Sequence, residues 1–161
     1  MARFAVAFCL VLGALFAFEL SPPGQAAVRP WTSLVASASA GMIREIDGTA
    51  RAYGNTVSDT KTGFAVSIEA GCNGVEAMIV LLAGMLAFPA SWRQKLAGIV
   101  VGVLAVQLLN LVRIVSLFYL GQWSPSAFEW AHLYVWQALI MLDVLIVWLV
   151  WMRWVTRAKA Q

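Results

Sequence analysis

Four long apolar runs, almost free of charge, constrain this chain more than any other feature. They lie at about residues 4–20, 71–88, 96–120 and 132–152. A hydrocarbon core about 30 Å thick is crossed by about 20 helical residues. The runs therefore predict an all-α polytopic membrane protein with about four transmembrane helices, forming one domain over residues 1–161. Hydrophobic residues make up 61% of the chain and charged residues 12%, which excludes a disordered chain and a nucleic-acid module. The net charge of +3 is better read as a topology signal, because basic residues collect on the cytoplasmic side. Cys9 and Cys72 are too far apart in the chain to form a framework. Their expected depths also argue against a disulfide.

The first run reads either as a retained helix or as a signal peptide, since Gly24-Gln25-Ala26 offers a small-x-small cleavage site. The run is long for a signal core. Residues 21–70 form the one sizeable polar segment. Pro22, Pro23 and Pro30 open it as a bent linker. From Trp31 to Ala52, apolar positions Leu34, Ala38, Met42, Ile46 and Ala50 recur every four residues, widened by Val35 and Ile43. That pattern predicts an amphipathic helix on the membrane surface or on the bundle. Thr56–Ser58 and Phe64–Ile68 flank a turn-rich stretch and predict a hairpin.

Arg3, the loop cations Arg93 and Lys95, and Arg153, Arg157 and Lys159 fall on one side, whereas the 121–131 loop has none. Both termini are therefore expected in the cytoplasm, with segment 21–70 and the 121–131 loop outside. Trp92, Trp123, Trp130, Trp151 and Trp154 read as interface anchors, and Gly84, Gly98 and Gly102 as close helix packing.

Ionisable residues within membrane runs are costly and mark candidate sites. Here they are Glu76, Arg113 and Asp143. At about 1.5 Å per residue, Glu76 lies roughly 6 Å below Cys72 and Arg113 roughly 10 Å below the outer end of the third run. His132, the single histidine, opens the fourth run. Cys72, Glu76, Arg113 and His132 thus converge in the outer leaflet from three helices. Asp143 lies too deep to join them and is expected to be protonated or bonded to another helix. A cysteine, an imidazole and a guanidinium suit acyl transfer: a nucleophile, a base, and a cation for the oxyanion. A helix-start position would favour the Cys72 thiolate, and Gly71 and Gly74 would allow a substrate strand to approach closely. Arg113 and Glu76 alternatively form a structural ion pair. Asn110 reads as a partner of Arg113, and Asn73 either as an oxyanion donor or as a helix cap.

Cys72-Asn73-Gly74 at a helix start, Asn110-Leu111-Val112-Arg113-Ile114 inside a membrane helix, and a histidine at the next helix start together resemble the exosortase/archaeosortase family. The chain looks most like its short exosortase H branch, and the resemblance covers roughly residues 66–140. It departs from larger members in having only about four membrane helices. The resemblance implies a Gram-negative inner-membrane cysteine protease or transpeptidase with its site facing the periplasm. Its substrates would be membrane-tethered proteins ending in a tripartite sorting signal of short motif, apolar helix and basic tail. It further implies Cys72 as nucleophile, His132 as acid/base and Arg113 as oxyanion stabiliser. The acyl acceptor would be water or an amine on a glycan or lipid, and neither metal nor cofactor is required. Two other classes fit the same buried charges: a small ion-coupled transporter, and a non-catalytic assembly subunit of a membrane complex.

Overall fold

A computed structural model describes residues 2–159, so residues 1, 160 and 161 and the side chains of Ala158 and Lys159 lie outside the described residues. The chain is mostly helical. α1 (Ala2–Leu20), α4 (Trp92–Trp123) and the helical stretch Pro125–Arg157 are each long and apolar enough to cross a membrane, and α3 (Val75–Ala87) is a shorter apolar helix. Val6, Leu10, Val100, Leu104, Leu108, Ile146 and Val150 all project outward. Helices apolar on their outer faces need a non-aqueous surround.

α3 departs from the expected run at 71–88. It starts only at Val75, because Gly71 and Gly74 adopt φ of 82° and 78°. Such left-handed backbone cannot continue a right-handed helix. The 13 residues of α3 rise about 20 Å, less than a bilayer core. Pro89 and Ala90 separate α3 from α4, and Ser91 and Gln94 cap the start of α4 in a reciprocal capping box.

α2 (Pro22–Asp47) corrects the expected linker. Ser21 accepts the Gly24 N–H, and Pro22 and Pro23 take the first helical positions, where a missing N–H costs nothing. Pro30 sits inside the helix. Within α2 the expected apolar stripe is buried only along its widened side, at Val35 and Ile43. Leu34, Ala38, Met42 and Ile46 are exposed, and Thr32, Val35, Ala36, Ser39, Ala40 and Ile43 are buried. A strict four-residue repeat drifts about 40° per step round a helix. The 3–4 alternation of small residues keeps one face against the bundle instead. Gly48 at φ 74° ends α2, so the helix stops before residue 50 rather than reaching Ala52.

After Gly48 the chain forms a three-stranded antiparallel sheet, β1 (Ala50–Tyr53), β2 (Thr56–Asp59) and β3 (Ala65–Ser67), in the order β1-β2-β3. β2 and β3 form the expected hairpin, with Thr56 opposite Ser67 and Val57 opposite Val66. β1 is an addition that the helical pattern of 31–52 concealed. The sheet and α2 share a core with α4 built on Ile43, Val57, Ile68, Ile114 and Phe118. Gly121 of α4 admits the Phe64 ring, and Tyr119 donates to Asp47 at 2.8 Å.

The expected 121–131 loop is helical as well. α4 runs on to Trp123, only Ser124 breaks the path, and α5 (Pro125–Trp130) leads through a π-helical turn (Ala131–Val135) into α6 (Trp136–Lys159). His132 therefore lies in a π turn inside a helix rather than at its start. A second core joins α3, α4 and α6 through Leu81, Met85, Val106, Ile140 and Val144. Trp151 belongs to it: 5% exposed, it donates to Gln94 O at 2.9 Å and is a core residue rather than an interface anchor. Asp143 finds no hydrogen-bond partner for Oδ2 among the described residues, so the expected bond to another helix is not made. Cys9 and Cys72 are free thiols.

A Cβ at Gly98 would overlap Trp151 Nε1, which its own hydrogen bond holds in place. Gly98→Val should therefore destabilise the bundle by about 1–3 kcal/mol through overpacking. Thermal unfolding in detergent measures this. Gly13→Ala, with open space around the added methyl, should leave the midpoint unchanged or slightly raised.

Candidate active site

The turn between β3 and α3 is the least regular backbone in the bundle, and its carbonyls must find donors. Cys72 N–H closes a turn on Glu69 O at 3.0 Å. The three carbonyls of residues 71–73 are each taken by a side chain of α4. Arg113 Nη1 donates to Gly71 O at 3.1 Å, Asn110 Nδ2 to Cys72 O at 3.1 Å and Gln107 Nε2 to Asn73 O at 3.4 Å. The helix positions fall by three as the turn advances by one, so the turn runs antiparallel to α4. Trp31 Nε1 adds a second donor to Asn73 O. A Cβ at Gly74 would strike the Gln107 amide, so glycine is required there by both space and φ.

Asn73 is almost fully buried, and its side chain is committed elsewhere. Its Oδ1 accepts the Val75 N–H at 3.0 Å, and its Nδ2 donates to Thr32 Oγ1 at 3.1 Å. That is the helix-capping alternative, and it turns the amide toward Thr32 and away from the cavity of Cys72, which Asn73 does not line. Glu76, in the first turn of α3, accepts the Gly71 N–H at 2.5 Å. It bends back toward the turn instead of lying one helical turn below Cys72. Among the described residues nothing pairs Glu76 with Arg113, so the expected ion pair is absent. Cys72 itself lies two residues before the Gly74 cap, outside the turn where the helix dipole acts strongly.

Three of the expected residues do meet. Cys72 Sγ is 3.0 Å from His132 Nε2 and 3.5 Å from Arg113 Nη2. The π turn positions His132: one extra residue rotates the helix face by about 100°, and π bulges recur at functional sites for this reason. Phe128 stacks on the imidazole with centroids 5.6 Å apart. No described residue bonds His132 Nδ1, so its orientation rests on this stacking and on the Nε2 contact with Cys72 Sγ. Arg113 is 2% exposed, and its Nε has no partner among the described residues. A buried donor left unpaired is costly, and a bound oxygen would relieve that cost.

The three residues line a cavity of about 370 Å³. One wall is the chain from Val66 to Cys72, and the other includes Ile114, Leu117, Phe128 and Leu133. Among the described residues no group of three or more His, Cys, Asp or Glu is arranged to hold a metal ion.

Burial pushes the Cys72 thiol up, the Arg113 guanidinium pulls it down, and the Glu76 and Glu69 carboxylates push it up. Burial prevails, so the resting sulfur is a neutral thiol. A neutral imidazole acting as base suits this better than a preformed ion pair.

Gln107 and Trp31 belong to the structure that holds the site, and sequence reasoning missed both. For Gln107 there was a signal, because Gln107, Asn110 and Arg113 are polar at steps of three within an apolar run. For Trp31 there was none.

The family model described as transmembrane exosortase (Exosortase_EpsH) matches residues 1–149 of the chain. No curated protein and no solved structure matches it.

The electrostatics of Cys72 set the sign of a pH experiment. The pH midpoint for its alkylation should lie above the ordinary free-thiol value, because the buried thiolate is disfavoured. Arg113→Ala should move it further up by removing the cation, and Glu76→Gln should move it down by removing an anion. Site-resolved mass spectrometry of iodoacetamide labelling reads all three profiles.

Proposed function

From the premise that this multi-pass membrane protein belongs to the transmembrane exosortase family, we propose that it is a cysteine transpeptidase or protease acting at the periplasmic face of the inner membrane. Its substrates are membrane-tethered proteins that end in a short motif, an apolar helix and a basic tail. The observation that carries the reading is the Cys72 sulfur, 3.0 Å from an imidazole nitrogen and 3.5 Å from a buried guanidinium, inside a cavity.

Cys72 is the nucleophile. Unprotonated Nε2 of His132 takes the Sγ proton as sulfur attacks the scissile carbonyl carbon. The carbonyl oxygen becomes an oxyanion, and the Arg113 guanidinium supplies the cation beside it. Collapse re-forms the C=O bond and breaks the C–N bond, and the leaving amine takes the proton from His132. A thioacyl-enzyme remains. Water or an amine then attacks it, giving a proton to His132 Nε2, and the second collapse breaks the C–S bond and returns that proton to sulfur. Asn110 and Gln107 hold the carbonyls on either side of the nucleophile and act by positioning, and Glu76 acts likewise through Gly71 N–H. Both termini lie in the cytoplasm in this reading, as the loop cations indicate.

The carrier reading has less support. It needs charged groups free to exchange ions, whereas Glu76 and Arg113 are each bonded into the turn that carries Cys72.

A complementation experiment tests the enzyme. In a host lacking the chromosomal copy, proteins with the tripartite tail should accumulate uncleaved, which C-terminal peptide mass spectrometry detects. Wild-type chain should restore cleavage and Cys72→Ala should abolish it. His132→Ala should slow it by about 10²–10⁴-fold, the usual contribution of a general base. Glu76→Gln should keep most activity. Full processing by Cys72→Ala would sink the mechanism.

A further inference from the structure

β3 is one of the two edge strands of its sheet, and the cavity that holds Cys72 runs along it and along the residues beyond it. The pairing register shows which of its main-chain groups are free. Phe64 O accepts from Asp59 N–H, and Ile68 N–H donates to Asn55 O, both at 2.8 Å. In an antiparallel pair alternate residues turn their polar groups to the neighbour. Residues 64, 66 and 68 thus face β2, and Ala65 and Ser67 turn N–H and C=O to the side with no strand. Apart from its shortness, three residues, this edge carries no block to pairing: β3 contains no Pro, no Lys and no charge. Only Glu69, just beyond it, is charged, and its carboxylate is engaged by Ser67 Oγ at 2.6 Å.

The edge also leads to the nucleophile. Two residues after Ser67, about 7 Å along the strand, Glu69 O accepts the Cys72 N–H and turns the chain back. The apolar wall of Ile114, Leu117, Phe128 and Leu133 stands opposite. Arg113, 2% exposed with an unpartnered Nε, lies at the end of this groove.

We propose that the substrate binds by strand addition: the extended segment beside the scissile bond pairs its main chain with Ala65 and Ser67 as a fourth strand, delivering the scissile carbonyl to Cys72. This rests on the enzyme reading above. Main-chain pairing supplies affinity for an extended peptide of many sequences, and the apolar wall selects the side chains that face it.

The test uses the full chain in detergent and two electrophiles. One is N-acetyl-Ala-Ala-Ala chloromethyl ketone, in which Cys72 sulfur displaces chloride to form a thioether and the thiol proton passes to His132 or solvent. The other is iodoacetamide, too small to pair. Site-resolved mass spectrometry reads the labelling rate of Cys72. Methylating the internal amide nitrogens of the peptide probe should slow it by about three- to tenfold, the loss expected for one main-chain hydrogen bond. Ser67→Pro, which removes an outward N–H on an edge strand where proline is tolerated, should slow the peptide probe similarly and spare iodoacetamide. Ser67→Ala loses the same Oγ contact with Glu69 but keeps the N–H, so it is the reference against which Ser67→Pro is read. If neither methylation nor Ser67→Pro changes the ratio of peptide to iodoacetamide rates, strand addition is overturned and the nucleophile stands. If His132→Ala leaves Cys72 labelling by both probes unchanged, the enzyme reading falls and strand addition with it. The methylated probe acts on the wild-type chain, so a misfolded Ser67→Pro protein does not remove the test.

Discussion

Everything at this site depends on a ladder of three side-chain hydrogen bonds. Gln107, Asn110 and Arg113 of α4 each donate to one of three consecutive carbonyls, those of Asn73, Cys72 and Gly71. Non-helical backbone among apolar helices is tolerated only where protein satisfies it. Without the ladder the carbonyls of Gly71 and Cys72 would be orphaned and that of Asn73 would keep only Trp31. With it, the chain can leave the helix at Gly71 and Gly74 and present a cysteine on a short, fixed turn. One helix thus satisfies the turn and supplies the cation that touches its sulfur, and the third rung of the ladder is itself that cation.

The opposite side of the sulfur is positioned by a different device. The π turn at Ala131–Val135 inserts one residue into an otherwise regular helix and rotates His132 out of its expected register. The stack with Phe128 then holds the ring. α4 and α6 are locked to each other through Gly98 and Trp151, so the distance from imidazole to sulfur is tied to the packing of two long helices. The cavity between the two devices is apolar on its helical wall and main-chain polar on its strand wall. That division suits an extended peptide better than a small ion.

Several expectations were legible in the residues. Long uncharged runs dictate membrane helices, and a turn-rich stretch between two β-prone segments dictates the hairpin of β2 and β3. The exclusion of charge from apolar runs made Arg113 and Glu76 conspicuous, and a single histidine left one candidate imidazole. The misreadings share a cause, since periodicity reports which residues are apolar and not which neighbour they meet. Leu34, Met42 and Ile46 look like a buried stripe, but the small residues Ala36, Ser39 and Ala40 let α2 approach the bundle. Glu76 looks like a partner for Arg113, yet the nearer Gly71 N–H takes its carboxylate.

The sequence by itself determined the class of the molecule: its helices, its membrane setting, the family motifs and the residue types available for chemistry. These follow from hydrophobicity and local backbone preference, which neighbouring residues suffice to express. Tertiary structure alone decided that Asn73 faces Thr32 and the helix start, that Trp31 reaches across forty-two residues to the same turn, and that β3 keeps an open edge beside Cys72. Each of those outcomes depends on which distant donor, acceptor or strand arrives first at a group, and no local pattern encodes that.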